Sequence, residues 1–249
     1  MSTELNPEFF IIGVLRSRQR LSPATVTEAI LSTVANNSAF AKSLDSYRYT
    51  ATQTRQRQLL SLDWQTTIST LAKTFQDEPR ISLSVVNRKR KPGIAIYLFL
   101  NAEDEIVSER IQGRKRQVPK ASDFSTCSLR ADAYLFRQES FTQAYTEIVG
   151  ANFDHLNGHY GRCSHISVQY DNDMDRVYGD MFTPSYITWC NLFGPELIEQ
   201  LGRQRLLNAP AHEVVELAGG GIMLLACANP LHELQPEVQE RIAAIKHHL

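Results

Sequence analysis

Apolar residues recur every four positions through Val26, Ile30 and Val34, directly behind Ser22 and Pro23. A capping serine, proline at the first helical position and one apolar face together predict a helix from there. A second stripe, Trp64, Ile68, Leu71 and Phe75, keeps the spacing i, i+4, i+7, i+11 between a capping Asp63 and the stop at Pro79. A third predicted helix starts at Ser140, carries Phe141, Ala144, Tyr145 and Ile148 inward, and stops at Gly150. Pro195 opens a short helix with Leu197, Ile198 and Leu201, closed by Gly202. Pro236 opens the last, with Val238, Ile242, Ile245 and Leu249 inward and Lys246, His247 and His248 at the negative end of its dipole.

Between these stretches the period drops to two. Residues 8–15 read as a short apolar strand, and Ile81, Leu83 and Val85 alternate with polar residues as on a half-exposed one. Residues 93–100 are apolar on both faces, which suits a central strand. A polar turn, Glu103-Asp104-Glu105, then predicts a hairpin with residues 106–111. Further strands are expected over 131–136 and 165–170, and a hairpin over 214–217 and 222–227 through Gly219, Gly220 and Gly221. Strands arrive in runs with helices between the runs, so the expected class is α+β, a mostly antiparallel sheet with packed helices. No long linker or repeat divides the chain, so residues 1–249 are read as a single domain, with residues 110–120 as an exposed basic loop.

The 249 residues are 43% hydrophobic and 21% charged, enough to bury a core. No apolar run is long enough to span a bilayer, and residues 1–7 lack the pattern of a signal peptide, so a cytoplasmic chain without a membrane partner is expected. The net charge of −1 conceals an asymmetry: residues 1–120 hold 18 Lys/Arg against 11 Asp/Glu, and residues 121–249 hold 8 against 16. If folding keeps the halves apart, such polarity steers a charged partner. Cys127, Cys163, Cys190 and Cys227 form no CxxC pair and sit in apolar contexts, which predicts buried free thiols.

Four groups of residues are candidates for chemistry. His155, His159, Cys163 and His165 carry metal-ligating atoms at close spacing, and a metal-dependent or small-molecule enzyme built on them is the alternative reading of the chain. Gly158 and Gly161 argue instead for a turn leading into a strand. The triple glycine lacks the spacing of a phosphate loop, and no G-x-S-x-G elbow occurs. The basic runs at residues 88–91 and 114–116 lack the interleaved aromatics of a single-strand nucleic-acid surface, so direct nucleic-acid binding is not expected. Asp171, Asp173, Asp175 and Asp180 lack the central glycine and closing glutamate of a calcium loop, and read as an acidic surface that meets a basic partner. No cofactor is called for, and no catalytic set emerges.

From Tyr178 to Pro236 the chain resembles the C-terminal part of bacterial immunity proteins of the immunity protein 52 type and related type VI secretion immunity families. The residues that carry the likeness are Pro184, Trp189, Asn191, Phe193-Gly194-Pro195-Glu196, Gly202, Leu206, Pro210, Gly219-Gly220-Gly221 and Asn229-Pro230. The resemblance implies a non-enzymatic cytoplasmic protein that binds a cognate toxin effector, often a nuclease such as a DNase, and occludes its active site. It implies that Trp189 and the glycines are scaffold. The toxin-binding residues are then sought in Asp171, Asp173, Asp175 and Asp180.

Overall fold

A computed structural model describes residues 10–43, 47–51, 54–59, 64–77, 81–87, 93–102, 110–111, 114–115, 124–165 and 187–249. Its strands are β1 (Phe10–Ser17), β2 (Tyr47–Ala51), β3 (Thr54–Leu59), β4 (Ile81–Asn87), β5 (Ile94–Ala102), β6 (Arg110–Ile111), β7 (Arg114–Lys115), β8 (Phe124–Asp132), β9 (Tyr160–His165), β10 (Cys190–Phe193), β11 (Glu213–Glu216) and β12 (Ile222–Leu225). Its helices are α1 (Pro23–Asn36), α2 (Ser38–Ser43), α3 (Trp64–Thr74), α4 (Glu139–His155), α5 (Pro195–Leu201), α6 (Arg203–Leu207) and α7 (Pro236–His248). Ten strands form one antiparallel sheet in the order β11-β12-β10-β9-β1-β8-β5-β4-β2-β3, so the class is α+β.

Residue alternation decides which face of this sheet is covered. Ile11 and Leu15 of β1 line up with Cys127, Leu129 and Ala131 of β8 and with Ile94, Ile96, Leu98 and Leu100 of β5, all almost fully buried. Helix α4 lies against β1, α1 against β5, and α1 packs on both α3 and α4. Ile30, Leu31 and Val34 of α1 and Ile68, Leu71 and Phe75 around α3 complete that layer, as their stripes predict. The opposite face is more open in the middle of the sheet, where β1 and β8 alternate buried with half-buried positions. Phe99 shows the consequence: β5 is central, yet this ring is 43% exposed. In β10 and β12 every residue is buried, so these two strands are covered on both faces, while the edge strand β11 is exposed or half-buried along its length.

Several boundaries depart from the sequence expectation. The strand expected over 131–136 is β8, which ends at Asp132, where Gly93 N–H donates to the Asp132 carboxylate at 2.6 Å. Ala133–Arg137 then winds into a 3-10 turn. Helix α4 passes through Gly150 instead of stopping there, and the missing side chain leaves room for Leu217, which packs 3.1 Å from where a Cβ would stand. It ends at a Schellman motif: Asn157, at φ 47°, donates to the Asp154 carbonyl, and Gly158 donates to that of Phe153. Strand β9 begins at Tyr160, upstream of the expected 165–170, and residues 166–170 lie outside the described residues. The expected partner of β5 over 106–111 is replaced by β4 and β8, while Arg110–Ile111 pairs with Arg114–Lys115 in a separate two-residue ladder. Asp63 and residues 103–105 lie outside the described residues. Ser22 sits at the start of α1, but its hydroxyl bonds the Thr25 hydroxyl at 3.0 Å rather than a backbone N–H.

Gly13 marks the point of closest approach between β1 and the layer above it. A Cβ there would meet Cys163 Sγ at 2.9 Å and the Tyr145 hydroxyl at 3.0 Å, and that hydroxyl donates to the Leu129 carbonyl at 2.7 Å. Gly13→Ala is therefore expected to destabilise the protein by about 1–3 kcal/mol by displacing a bonded, buried tyrosine. Chemical denaturation checks this, with the expected loss appearing as a lower midpoint at unchanged slope.

Candidate functional site

The corner where α4 hands over to β9 is built from backbones in unusually close contact. Gly194 lies so near the Gly158 carbonyl that any side chain at Gly194 would collide with it, and Gly158 is laid directly against the Phe153 ring. Gly161 fits beneath Leu15 and Leu192, whose methyls would stand 2.8 and 3.1 Å from an added Cβ. The Gly219 N–H donates to Asp154 Oδ2 at 3.0 Å, drawing the β11–β12 turn onto the end of α4, and Gly220 takes the positive φ of 84° that the turn needs.

These contacts leave a pocket of about 230 Å³, whose polar lining includes Arg18, Gln19, Asp154, Asn157 and Glu196. Glu196, at the start of α5, is half exposed. Its Oε2 lies 2.9 Å from His159 Nδ1 and its Oε1 lies 3.4 Å from Arg18 Nη1. His159 is 5% exposed and both its ring nitrogens are buried. The Glu196 carboxylate thus lies between two basic groups, the His159 imidazole on Oε2 and the Arg18 guanidinium on Oε1.

A second feature of this half of the molecule is a fully buried carboxylate, Glu233. Its Oε2 accepts the His165 N–H at 3.0 Å and its Oε1 accepts the Trp189 N–H at 2.7 Å. One side chain thus ties the end of β9 to the chain entering β10. Trp189 is fully buried, its indole N–H donates to the Cys227 carbonyl at 2.9 Å, and its ring stands edge-on to Phe136 at 6.1 Å. Burial pushes the Glu233 carboxyl up from 4.5 to about 7, against the two backbone N–H groups that favour its charge.

The acidic residues Asp171, Asp173, Asp175 and Asp180 lie outside the described residues. The histidine and cysteine candidates are described, and they separate. His155 Nε2 bonds the Thr33 hydroxyl across α1 and α4 at 3.0 Å, and burial lowers its pKa, opposed by Asp154. His159 backs Glu196, Cys163 lies on the covered face of β9 opposite Cys190, and His165 sits at the Glu233 clamp. Among the described residues no group of three or more His, Cys, Asp or Glu is placed to hold a metal ion. The four cysteines are free and buried, as their apolar contexts predict. Burial raises Cys127 and Cys227 to about 12 and Cys163 well above its usual value, so these three thiols stay protonated. Sequence reasoning missed both Glu233 and the pocket. The single available signal for Glu233 was an acid enclosed by Leu231, His232 and Leu234, and the pocket joins residues far apart in the chain. Among the described residues no helix is long and apolar enough to cross a membrane.

Comparison with known proteins finds no matching family model and no matching curated protein. The fold itself is shared with a solved structure, Pseudomonas aeruginosa T6SS protein PA0821, at a TM-score of 0.61 and 11% identity, covering 97% of this chain and 73% of that one. At this identity the likeness is one of fold.

The Glu233 clamp generates a pH prediction. A carboxyl raised from 4.5 to about 7 contributes stability that is fully present below pH 4.5 and lost as pH rises through 7, on the order of 3 kcal/mol. Glu233→Gln removes this titration but leaves one of the two N–H groups facing an amide NH2, at a cost of about 1–3 kcal/mol. The substitution should therefore destabilise most near pH 5, and its effect should shrink or reverse by pH 8, as read from denaturant unfolding of both proteins across that range.

Proposed function

We propose that the chain is an immunity protein that acts without catalysis: it binds a cognate antibacterial toxin of a type VI secretion system and occludes the toxin's active site. The observation that carries this reading is the fold shared with a T6SS protein along 97% of the chain. The likeness of residues 178–236 to immunity proteins agrees with it, and the motif residues do scaffold work. Trp189 anchors the core, Asn191 bonds the Thr188 backbone, Gly194 admits the Gly158 carbonyl, and Asn229 caps the turn at Leu231 and holds the Phe136 carbonyl. Reactive side chains are likewise committed to structure: Glu233 to two backbone N–H groups, His155 to Thr33, and three thiols to burial.

Under this reading Asp171, Asp173, Asp175 and Asp180 form an acidic surface for a basic toxin, as a nuclease presents. The order of the sheet suits such steering, because residues 190–225 supply strands at one end and residues 47–87 at the other. The acidic and basic halves of the sequence also meet, where β1 lies between β8 and β9 and where α1 and α2 pack on α4.

Co-expression with the toxin encoded beside it should rescue growth, and the two chains should co-purify as a defined complex. Rescue without a complex would contradict occlusion. Replacing Asp171, Asp173 and Asp175 by Asn should slow association and weaken its salt dependence, measured by stopped flow at low and high salt. Unchanged kinetics at both salts would remove that stretch from the interface.

A further inference from the structure

We propose that Cys163 and Cys190 are a redox pair that closes to a disulfide when the chain folds in the presence of a small-molecule disulfide, and that folding then seals whichever state was reached. The proposal stands apart from the toxin-binding reading. Strands β9 and β10 set the two residues directly opposite each other, so their side chains share one face. The Gly194 N–H donates to the His159 carbonyl, and every second pair along this ladder repeats that bonded geometry. Cys163 and Cys190 fall on such a pair, whose Cα atoms stand about 5.5 Å apart, near the commonest separation across a disulfide. The two thiols are already in hydrogen-bond contact.

The other two cysteines are placed worse. Cys127 lies on β8, and β1 runs between β8 and β9, so about 10 Å of sheet separates its strand from that of Cys163. Cys227 lies beyond Leu225, the residue opposite Cys190, and its thiol donates to the Asn229 carbonyl. With glutathione disulfide as the oxidant, one cysteine thiolate of the unfolded chain attacks a glutathione sulfur and expels a glutathione thiolate. The second cysteine thiolate attacks the protein sulfur of that mixed disulfide and expels the other glutathione. Two protein S–H bonds are lost, one S–S bond forms, and two electrons reduce glutathione disulfide to two thiols. Folding ends this exchange. Both side chains become fully buried, and burial holds the Cys163 thiol protonated, so the native chain offers neither access nor the attacking thiolate. The same burial shields a bond that formed earlier. Such a bond joins β9 to β10 and closes residues 164–189 into a loop.

Refolding the full chain from urea, with glutathione disulfide or with dithiothreitol, tests this. After oxidative refolding, mass spectrometry should show the loss of two hydrogens, a peptide joining Cys163 to Cys190, and Cys127 and Cys227 open to alkylation on unfolding. The urea midpoint of this form should exceed that of the reduced chain by on the order of 1 M. Glutathione disulfide added to the folded, reduced chain should leave it reduced over the time that oxidises the refolding sample. Cys190→Ala should abolish the bond and Cys127→Ala should keep it. Four free thiols after oxidative refolding, a bridge to Cys127 or Cys227 instead, or an oxidised chain that aggregates or is less stable than the reduced one would each overturn the proposal. Ready oxidation of the folded chain would overturn the sealing by burial.

Discussion

The fold depends on where β1 sits. The first described strand is inserted between β8 and β9, antiparallel to both, so the N-terminal segment joins two groups of strands that the rest of the chain builds separately. Each residue from Ile11 to Arg16 is in register with both neighbours. Gly13, in the middle, allows this because Tyr145 and Cys163 crowd the position from above. A strand placed in this way makes the sheet continuous across ten strands.

The far side of β9 is secured by different means. Glu233 reaches from the segment before α7 to bridge the backbones at His165 and Trp189, doing with a side chain what strand pairing does elsewhere. Its two hydrogen bonds favour the carboxylate and burial disfavours it more strongly, so the fold loses stability as the carboxyl ionises. Around the same strands, β10 and β12 are buried on both faces, and the aromatic cluster of Phe136, Tyr145 and Trp189 joins α4 to them. This rigid end is what holds Asp154 and Glu196 in place at the surface.

Much of this was legible in the chain where one physical signal dominated. The stripes of α1, α3 and α7, the proline starts of α5 and α7, and the glycine turn of the last hairpin each reflect a local rule that packing left unopposed. The readings that failed are those where tertiary contact overrode a local cue. Gly150 looked like a stop, but it serves to admit Leu217. Gly158 and Gly161, by contrast, do mark a turn leading into a strand, as the sequence suggests: one closes the Schellman turn and the other lies within β9 under Leu15 and Leu192. The placement of β1, the Glu233 clamp and the pocket all join residues more than 40 positions apart. Periodicity carries no information at that range, because register between distant strands is set by the assembled core.

The molecule is thus one continuous sheet, with β1 joining its two groups of strands and Glu233 bridging β9 to the chain entering β10. Hydrogen–deuterium exchange on the chain, free and with the proposed partner toxin, tests the inhibitor reading most directly. Added protection that includes residues 171–180 is the expected result. Protection confined to residues 47–59 and 81–87 would contradict it.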